Sequence, residues 1–361
     1  MMINKPILLM GNFFFASKNK NIPLNPKNIL VIRSGGIGDV LMTTTFLQVL
    51  RNKYKKSKIS YLVGEWSKEV LEGNNDIDEI ISFDDNIIFN KKIIKVFRSI
   101  HKLRKKKFDL CFILDKSYLW NLFAFFSGIP FRVGFDRYGE GFPNNLNVPF
   151  EGKKNEIGYY LDILRLLDID VKKKKMKLPL SKNDIEFSNN FLKKKSLTNK
   201  KIVGIAVGGA ENPGQNAHIK RWPKEKYIEL INVLNERENI ILFGGKNDFQ
   251  LNEEIINAIL IKKNKIINAA GISLKQSSAL MKKCRLFITH DSGAMHIAAA
   301  MNIKLIALFG PTPAERFAPR NAIIITSKGE GCPCYDIYGN YKKIDCMEDI
   351  KVKDVLKNIK L

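Results

Sequence analysis

From Asn28 onward, short unbroken apolar runs alternate with longer segments whose apolar residues recur at helical spacing. Ile29-Leu30-Val31-Ile32 reads as a buried strand, and Val40 to Leu50 as the helix that follows it. Further strands are expected at Ile59–Val63, Ile80–Phe83, Leu110–Leu114 and Phe131–Phe135. Helices fall between them, among them Ile93–Leu103 and Tyr118–Phe126. Strands that are apolar throughout are buried on both faces, so this alternation predicts a parallel sheet covered by helices on each side.

The rhythm breaks between Val171 and Lys200, where Lys172–Lys175, Pro179 and Lys193–Lys195 flank one predicted helix, Ser181–Leu192. This stretch reads as an exposed connection between domains. The alternation then restarts with strands Ile202–Val207, Ile240–Phe243, Lys265–Ala269, Leu286–Thr289 and Leu305–Phe309. Helices are expected at Lys224–Leu234, Phe249–Leu260, Leu274–Lys283 and Ala294–Met301. The expected organisation is an extension over residues 1–27, one Rossmann-like domain over 28–175 and a second over 176–361. Ligands in such sheets bind beyond the carboxyl ends of the strands, in the cleft there.

Composition narrows the picture. An apolar fraction of 45% in 361 residues excludes a disordered chain. No apolar stretch reaches the roughly 18 residues of a spanning helix. The net charge is +24, but lysine outnumbers arginine about four to one and is spread throughout, which does not suit a nucleic-acid surface. Such a charge favours anionic membranes or anionic substrates. Five cysteines in a chain of this length form no disulfide scaffold, and the odd count argues for a reducing compartment. The apolar run Pro6–Ala16 has a faint signal-peptide shape, but Asn12 interrupts it and the cleavage site is poor. An interfacial anchor or a disordered extension fits better.

Four post-strand loops hold the candidate chemistry. Arg33-Ser34-Gly35-Gly36-Ile37-Gly38-Asp39 joins the first strand to its helix, with glycines that permit positive φ and close approach to a ligand. It fails the dinucleotide fingerprint, because Leu41 stands where glycine or alanine is required; an oxidoreductase is disfavoured. Asp39 either caps the helix or acts as a base. Gly208-Gly209-Ala210-Glu211-Asn212-Pro213-Gly214 leads to Lys220-Arg221-Trp222-Pro223, either an anion site or a solvated basic pair with Trp222 packed between domains. Asp291-Ser292-Gly293 opens a small-residue helix containing His296, whose N-terminal N–H groups suit an anion. Phe309-Gly310-Pro311-Thr312 is the fourth turn.

Taken in order, Ser34–Asp39, Lys220–Pro223, Asp291–Gly293 with His296, and Leu308–Thr312 resemble glycosyltransferase family 9, the heptosyltransferases that extend lipopolysaccharide cores. The resemblance spans about residues 28–350. It implies an α/β chain of two facing Rossmann-like domains, the GT-B fold, and inverting, metal-independent transfer from a nucleotide-sugar donor, with no other cofactor. By that resemblance Asp39 is the general base, with Gly36 and Gly38 in the loop near the acceptor. Lys220 engages the donor phosphates. Gly208, Gly209, Asp248, Asp291, Ser292, Gly293 and His296 line the donor site, Asp291 holding sugar hydroxyls or orienting Lys220.

The implied partners are a nucleotide sugar, ADP-heptose foremost, and an anionic lipid-linked glycan met at the cytoplasmic surface of the inner membrane; nucleic acid is not among them. The long Gly208–Gly214 loop departs from the core heptosyltransferases, which leaves the donor sugar open. Cys332, Cys334 and Cys346 are either reduced thiols or three ligands of a zinc or iron site such as autotransporter heptosyltransferases carry, although C-x-C is not the usual knuckle spacing. The alternatives are a protein glycosyltransferase of the same family and a catalytically silent nucleotide-sugar binder.

Overall fold

Unbroken runs of Ile, Leu and Val form the central strands of two parallel sheets. The structure, a computed structural model, describes residues 22–84, 93–172, 174–209, 211–212, 215–260, 262–342 and 345–359. The signal-like pattern near the amino terminus lies outside these residues. The chain divides between Lys177 and Leu178 into two compact units.

The first unit runs β1 (Asn28–Ile32), α1 (Ile37–Lys53), β2 (Lys58–Gly64), β3 (Glu79–Phe83), α2 (Ile93–Lys105), β4 (Leu110–Ile113), α3 (Tyr118–Phe126), β5 (Phe131–Asp136), β6 (Leu146–Pro149) and α4 (Glu156–Arg165). Its strands pair in parallel in the order 3-2-1-4-5-6. Helix α1 is buried on nearly every side, so its polar residues need internal partners. Thr43, Thr44 and Thr45 each donate to the carbonyl three residues back, at 2.7, 2.7 and 2.8 Å. Phe83, Trp120 and Phe123 meet edge to face at 5.2–5.5 Å and seat α3 on the sheet. The amino-terminal approach is tied down where Asp109 accepts from the backbone N–H groups of Lys27 and Asn28.

The second unit runs α5 (Lys182–Lys194), β7 (Ile202–Ala206), α6 (Lys224–Leu234), β8 (Asn239–Phe243), α7 (Phe249–Ala258), β9 (Ile266–Asn268), α8 (Leu274–Met281), β10 (Leu286–His290), α9 (Gly293–Ala300), β11 (Leu305–Phe309), α10 (Ala314–Phe317), β12 (Ala322–Thr326) and α11 (Val352–Leu356). Its sheet is again parallel, in the order 9-8-7-10-11-12. The returning tail lays Met347, Ile350 and Val355 on the core beside Trp222 and Tyr227. Among the described residues, no helix is long and apolar enough to cross a membrane.

Several expectations change. The helix expected within an interdomain connection is α5, which packs on α8 inside the second unit; Ser181 and Asp184 close a capping box at its start, and Lys275 donates to the Pro179 carbonyl at 2.7 Å. Its apolar face was too short to announce a partner. Trp222 packs within the second unit, edge-on to Tyr227 at 4.9 Å, with Nε1 donating to the Ile350 carbonyl at 3.0 Å. β6, α4 and β12 were not among the expected elements: β6 and β12 are half-exposed edge strands, whereas α4 carries Ile157, Tyr160, Leu161 and Leu164 at helical spacing.

The cysteine tail is also corrected. Cys332 is bonded to Cys346, because the chain turns back after β12 to bring Met347 onto the core, placing the two Cα atoms 5.9 Å apart. Two of the three candidate metal ligands are thereby consumed. Cys111, Cys284 and Cys334 are free and buried, and among the described residues no group of three His, Cys, Asp or Glu is arranged for a metal ion. Purified without reductant and then denatured, the chain should titrate as three thiols, rising to five after reduction. Five thiols before reduction would exclude the Cys332–Cys346 bond.

Candidate functional site

A parallel sheet opens a crevice at the carboxyl ends of two neighbouring strands whose crossovers leave in opposite directions. The strand orders put that point between β1 and β4 in the first unit and between β7 and β10 in the second. The Arg33–Gly36 loop leaves β1 and Asp115 follows β4; Gly208 and Gly209 follow β7 and Asp291 follows β10.

In the first unit the centre is Arg33. Its Nη2 lies 2.9 Å from Asp39 Oδ1 and its Nη1 2.6 Å from Asp115 Oδ2. Burial works against the guanidinium charge, but Asp39, Tyr160 and Asp115 together hold it well above its ordinary range. Beneath this pair, Lys116 is ion-paired with Glu156 and donates to Tyr160 Oη at 3.1 Å. The rings of Tyr160, Phe150 and Phe135 lie 4.6, 5.5 and 5.6 Å from its Nζ. Burial draws Lys116 below the usual lysine range despite Glu156. Asp39, in the first turn of α1, is 31% exposed while Arg33 is 11% and Asp115 13%, so it is the carboxylate of this network that meets solvent.

The glycines of this loop have distinct backbone roles. Positive φ belongs to Gly35, at +117°, where a side chain would also crowd the Arg33 guanidinium. Gly36 is the helix N-cap with extended backbone, and Gly38 lies buried within the first turn.

In the second unit, Lys220 ends a short 3-10 turn with Nζ 2.8 Å from Asp291 Oδ2. The same oxygen accepts from Thr312 Oγ1 at 2.8 Å. Burial disfavours the ammonium, but Asp291 outweighs it and holds Lys220 above the ordinary lysine range. Burial likewise pushes the Asp291 carboxyl up, and Lys220, His296 and Thr312 more than reverse this, leaving it low. Phe317, Tyr335 and Tyr341 surround the ammonium with ring centres at 5.7, 5.9 and 5.9 Å. Ser292 is the N-cap of α9, so the first N–H groups of that helix stand directly after Asp291.

Asp248, expected as a donor contact, also ties two loops together. One of its oxygens accepts from Gly209 N at 2.9 Å and the other from Gly245 N at 2.8 Å. A Cβ on Gly208 would fall 2.0 Å from Asp248 Oδ1, so only glycine fits there. Arg221 fixes the same loop from the other direction, its Nε and Nη2 donating to the Gly209 carbonyl at 2.9 and 2.7 Å. His290 lies beneath: burial pushes it down to about 3, so the ring is neutral, and Nδ1 meets Tyr227 Oη at 3.1 Å. A cavity of about 560 Å³ in this unit is bordered by Arg221, Trp222 and Leu251 but not by Lys220 or Asp291.

Lys220, Asp291 and His296 are thus brought together, with Ser292 and Gly293 continuing directly from Asp291. Gly208, Gly209 and Asp248 form the loop beside them. Asp39 stands in the other unit. Arg33 was expected only as the first residue of its loop, and Asp115, Lys116, Glu156 and Tyr160 carried no expectation. Asp115 and Lys116 directly follow a predicted strand, and Glu156 and Tyr160 belong to a helix whose Ile157, Tyr160, Leu161 and Leu164 recur at helical spacing; those were the signals available.

The model of glycosyltransferase family 9 (heptosyltransferase) matches residues 96–344. Lipopolysaccharide heptosyltransferase 2 of Escherichia coli (strain K12) is 29% identical over 307 residues, covering 81% of this chain and 84% of that protein. The crystal structure of the glycosyl transferase family 9 from Veillonella parvula DSM 2008 superposes with a TM-score of 0.79 at 24% identity, over 93% of this chain and 97% of that one. The structure of E. coli ADP-heptose lps heptosyltransferase II gives a TM-score of 0.71 at 26% identity, over 91% and 96%. The two sheets are therefore the two Rossmann-like domains of the GT-B fold.

Replacing Arg33 with Met leaves Asp115 partly buried without its cation. Chemical unfolding should show a loss of about 3 kcal/mol, and Asp115→Asn in the same background should restore part of it. A loss below about 0.5 kcal/mol would place the pair among exposed, weak ones.

Proposed function

The chain belongs to glycosyltransferase family 9, and we propose that it transfers heptose, with inversion, from ADP-heptose to a sugar of the lipopolysaccharide core. ADP-heptose is the donor named for the E. coli relative. In this reading residues 28–175 serve the acceptor and residues 176–361 hold the donor, at the cytoplasmic face of the inner membrane with peripheral contact to it.

Lys220 carries the proposal. A nucleoside diphosphate needs fixed positive charge where its own charge grows as the glycosidic bond breaks. An ammonium has three donors, so Asp291 does not exhaust it. The Ser292–Gly293 helix start adds backbone N–H groups of the same polarity, and His296 helps keep Asp291 ionised and Lys220 in place. Gly208 and Gly209, held by Asp248 and Arg221, let the backbone approach the nucleotide. Asp39 is the base. The acceptor oxygen attacks the anomeric carbon from the face opposite the diphosphate, the carbon–oxygen bond to phosphate breaks, and Asp39 takes the hydroxyl proton. A carboxylate is basic enough because the proton becomes acidic only as the new bond forms in an oxocarbenium-like transition state.

Asp39→Asn should lower kcat about a hundredfold or more while donor affinity, measured by calorimetry, stays near wild type; unchanged turnover would remove Asp39 as the base, and donor binding without any turnover in wild type would favour a silent binder. Lys220→Ala should weaken ADP binding about a hundredfold, since Asp291 is then left buried beside the diphosphate. The upward shift of Lys220 means its proton is retained beyond the ordinary lysine value of 10.5. ADP affinity should accordingly remain level from about pH 7 to 10; a fall with a midpoint in that window would show that another group carries the phosphate charge.

A further inference from the structure

Helix α2 places two large apolar side chains in water. Ile94 is 70% exposed and Phe97 64%. The opposite side of the helix is fully used: Ile100 and Leu103 are buried in the core of the first unit, with Val96 packed against it. At about 100° per residue, Ile94, Phe97, Arg98, His101 and Lys105 share an outward arc of about 100°. Lys95, Lys102 and Arg104 flank it and are exposed. Helix α2 itself contains five Lys or Arg and no Asp or Glu, while Lys106, just beyond it, is paired with Glu79. On the neighbouring α3, Leu119 and Phe126, seven residues apart, are 40% and 42% exposed.

An apolar tip ringed by cations and free of acids is complementary to one kind of surface, a bilayer rich in anionic headgroups. Isoleucine and phenylalanine enter the boundary between headgroup and acyl chain, while lysine and arginine remain level with the phosphates. We infer that the outward face of α2 docks the enzyme on anionic membrane. The inference rests on the reading of the acceptor as lipid-linked, and it identifies the surface that brings the enzyme to that acceptor.

The full chain can be tested by co-sedimentation with vesicles of phosphatidylcholine alone and of phosphatidylcholine with phosphatidylglycerol. Wild type should bind only the anionic vesicles. Ile94→Ser with Phe97→Ser should weaken that binding roughly fivefold or more, as should Lys102→Glu with Lys105→Glu. All four positions are exposed, so Tm should not move. A control on α5, Lys193→Glu with Lys194→Glu, removes the same charge from another exposed basic run and should leave binding within about twofold. Equal losses in control and α2 variants would reduce the effect to net charge and overturn the proposal. So would full binding by the Ile94/Phe97 variant, or a change in its oligomeric state without a change in vesicle binding.

Heptose transfer to a water-soluble acceptor fragment separates this inference from the activity. The α2 variants should keep it, while loss of transfer in wild type would count against the assigned reaction and leave the membrane surface standing.

Discussion

A charge taken out of water has to be met by an opposite charge or by hydrogen bonds, and each unit of this chain meets that requirement at the carboxyl ends of its central strands. The two solutions differ in a way that bears on function. Arg33 lies between two carboxylates, and its fork geometry suits such bridging. Its charge is balanced within the protein, so it holds Asp39 in place without attracting an anion. Lys220 faces one carboxylate, Asp291, inside a ring of aromatic faces. Asp291 is shared with Thr312, and the ammonium retains capacity for a further anion. In one site a cation is held between two carboxylates; in the other it faces a single one.

Around those ion pairs the backbone is arranged by close approach. Asp248 occupies the space that a side chain at Gly208 would need and joins the loops after β7 and β8 through their N–H groups. Arg221 holds the Gly209 carbonyl from a separate segment. Beneath them His290, kept neutral by burial, adds no charge that would compete with Lys220 or Asp291. A loop held from several sides can present its backbone to a ligand with little reorganisation, which is what stabilising a departing diphosphate demands.

The positive charge of the chain is diffuse, and for that reason says little about place. Among the described residues, lysines are scattered over many exposed positions and some pair with nearby acids, as Lys106 does with Glu79 and Lys154 with Asp162. Helix α2 differs because exposed apolar residues stand among its cations and no acids interrupt them. Local pattern distinguishes a surface where total charge cannot.

The unbroken Ile, Leu and Val runs by themselves determined two parallel sheets, since strands buried on both faces must be apolar throughout and helices must cover them. The ordered motifs at strand ends likewise marked Asp39, Lys220 and Asp291, because chemistry in such sheets gathers in post-strand loops. What the chain order could not carry was partnership across distance. The bridging of Arg33 to Asp115, the pairing of Lys116 with Glu156, and the Cys332–Cys346 bond join residues whose contact exists only once strands and helices are stacked. The same holds for the way Asp248 joins the loops after β7 and β8. Trp222 and α5 show the limit from the apolar side: periodicity states that a face is buried, while the surface that buries it is chosen by tertiary packing alone.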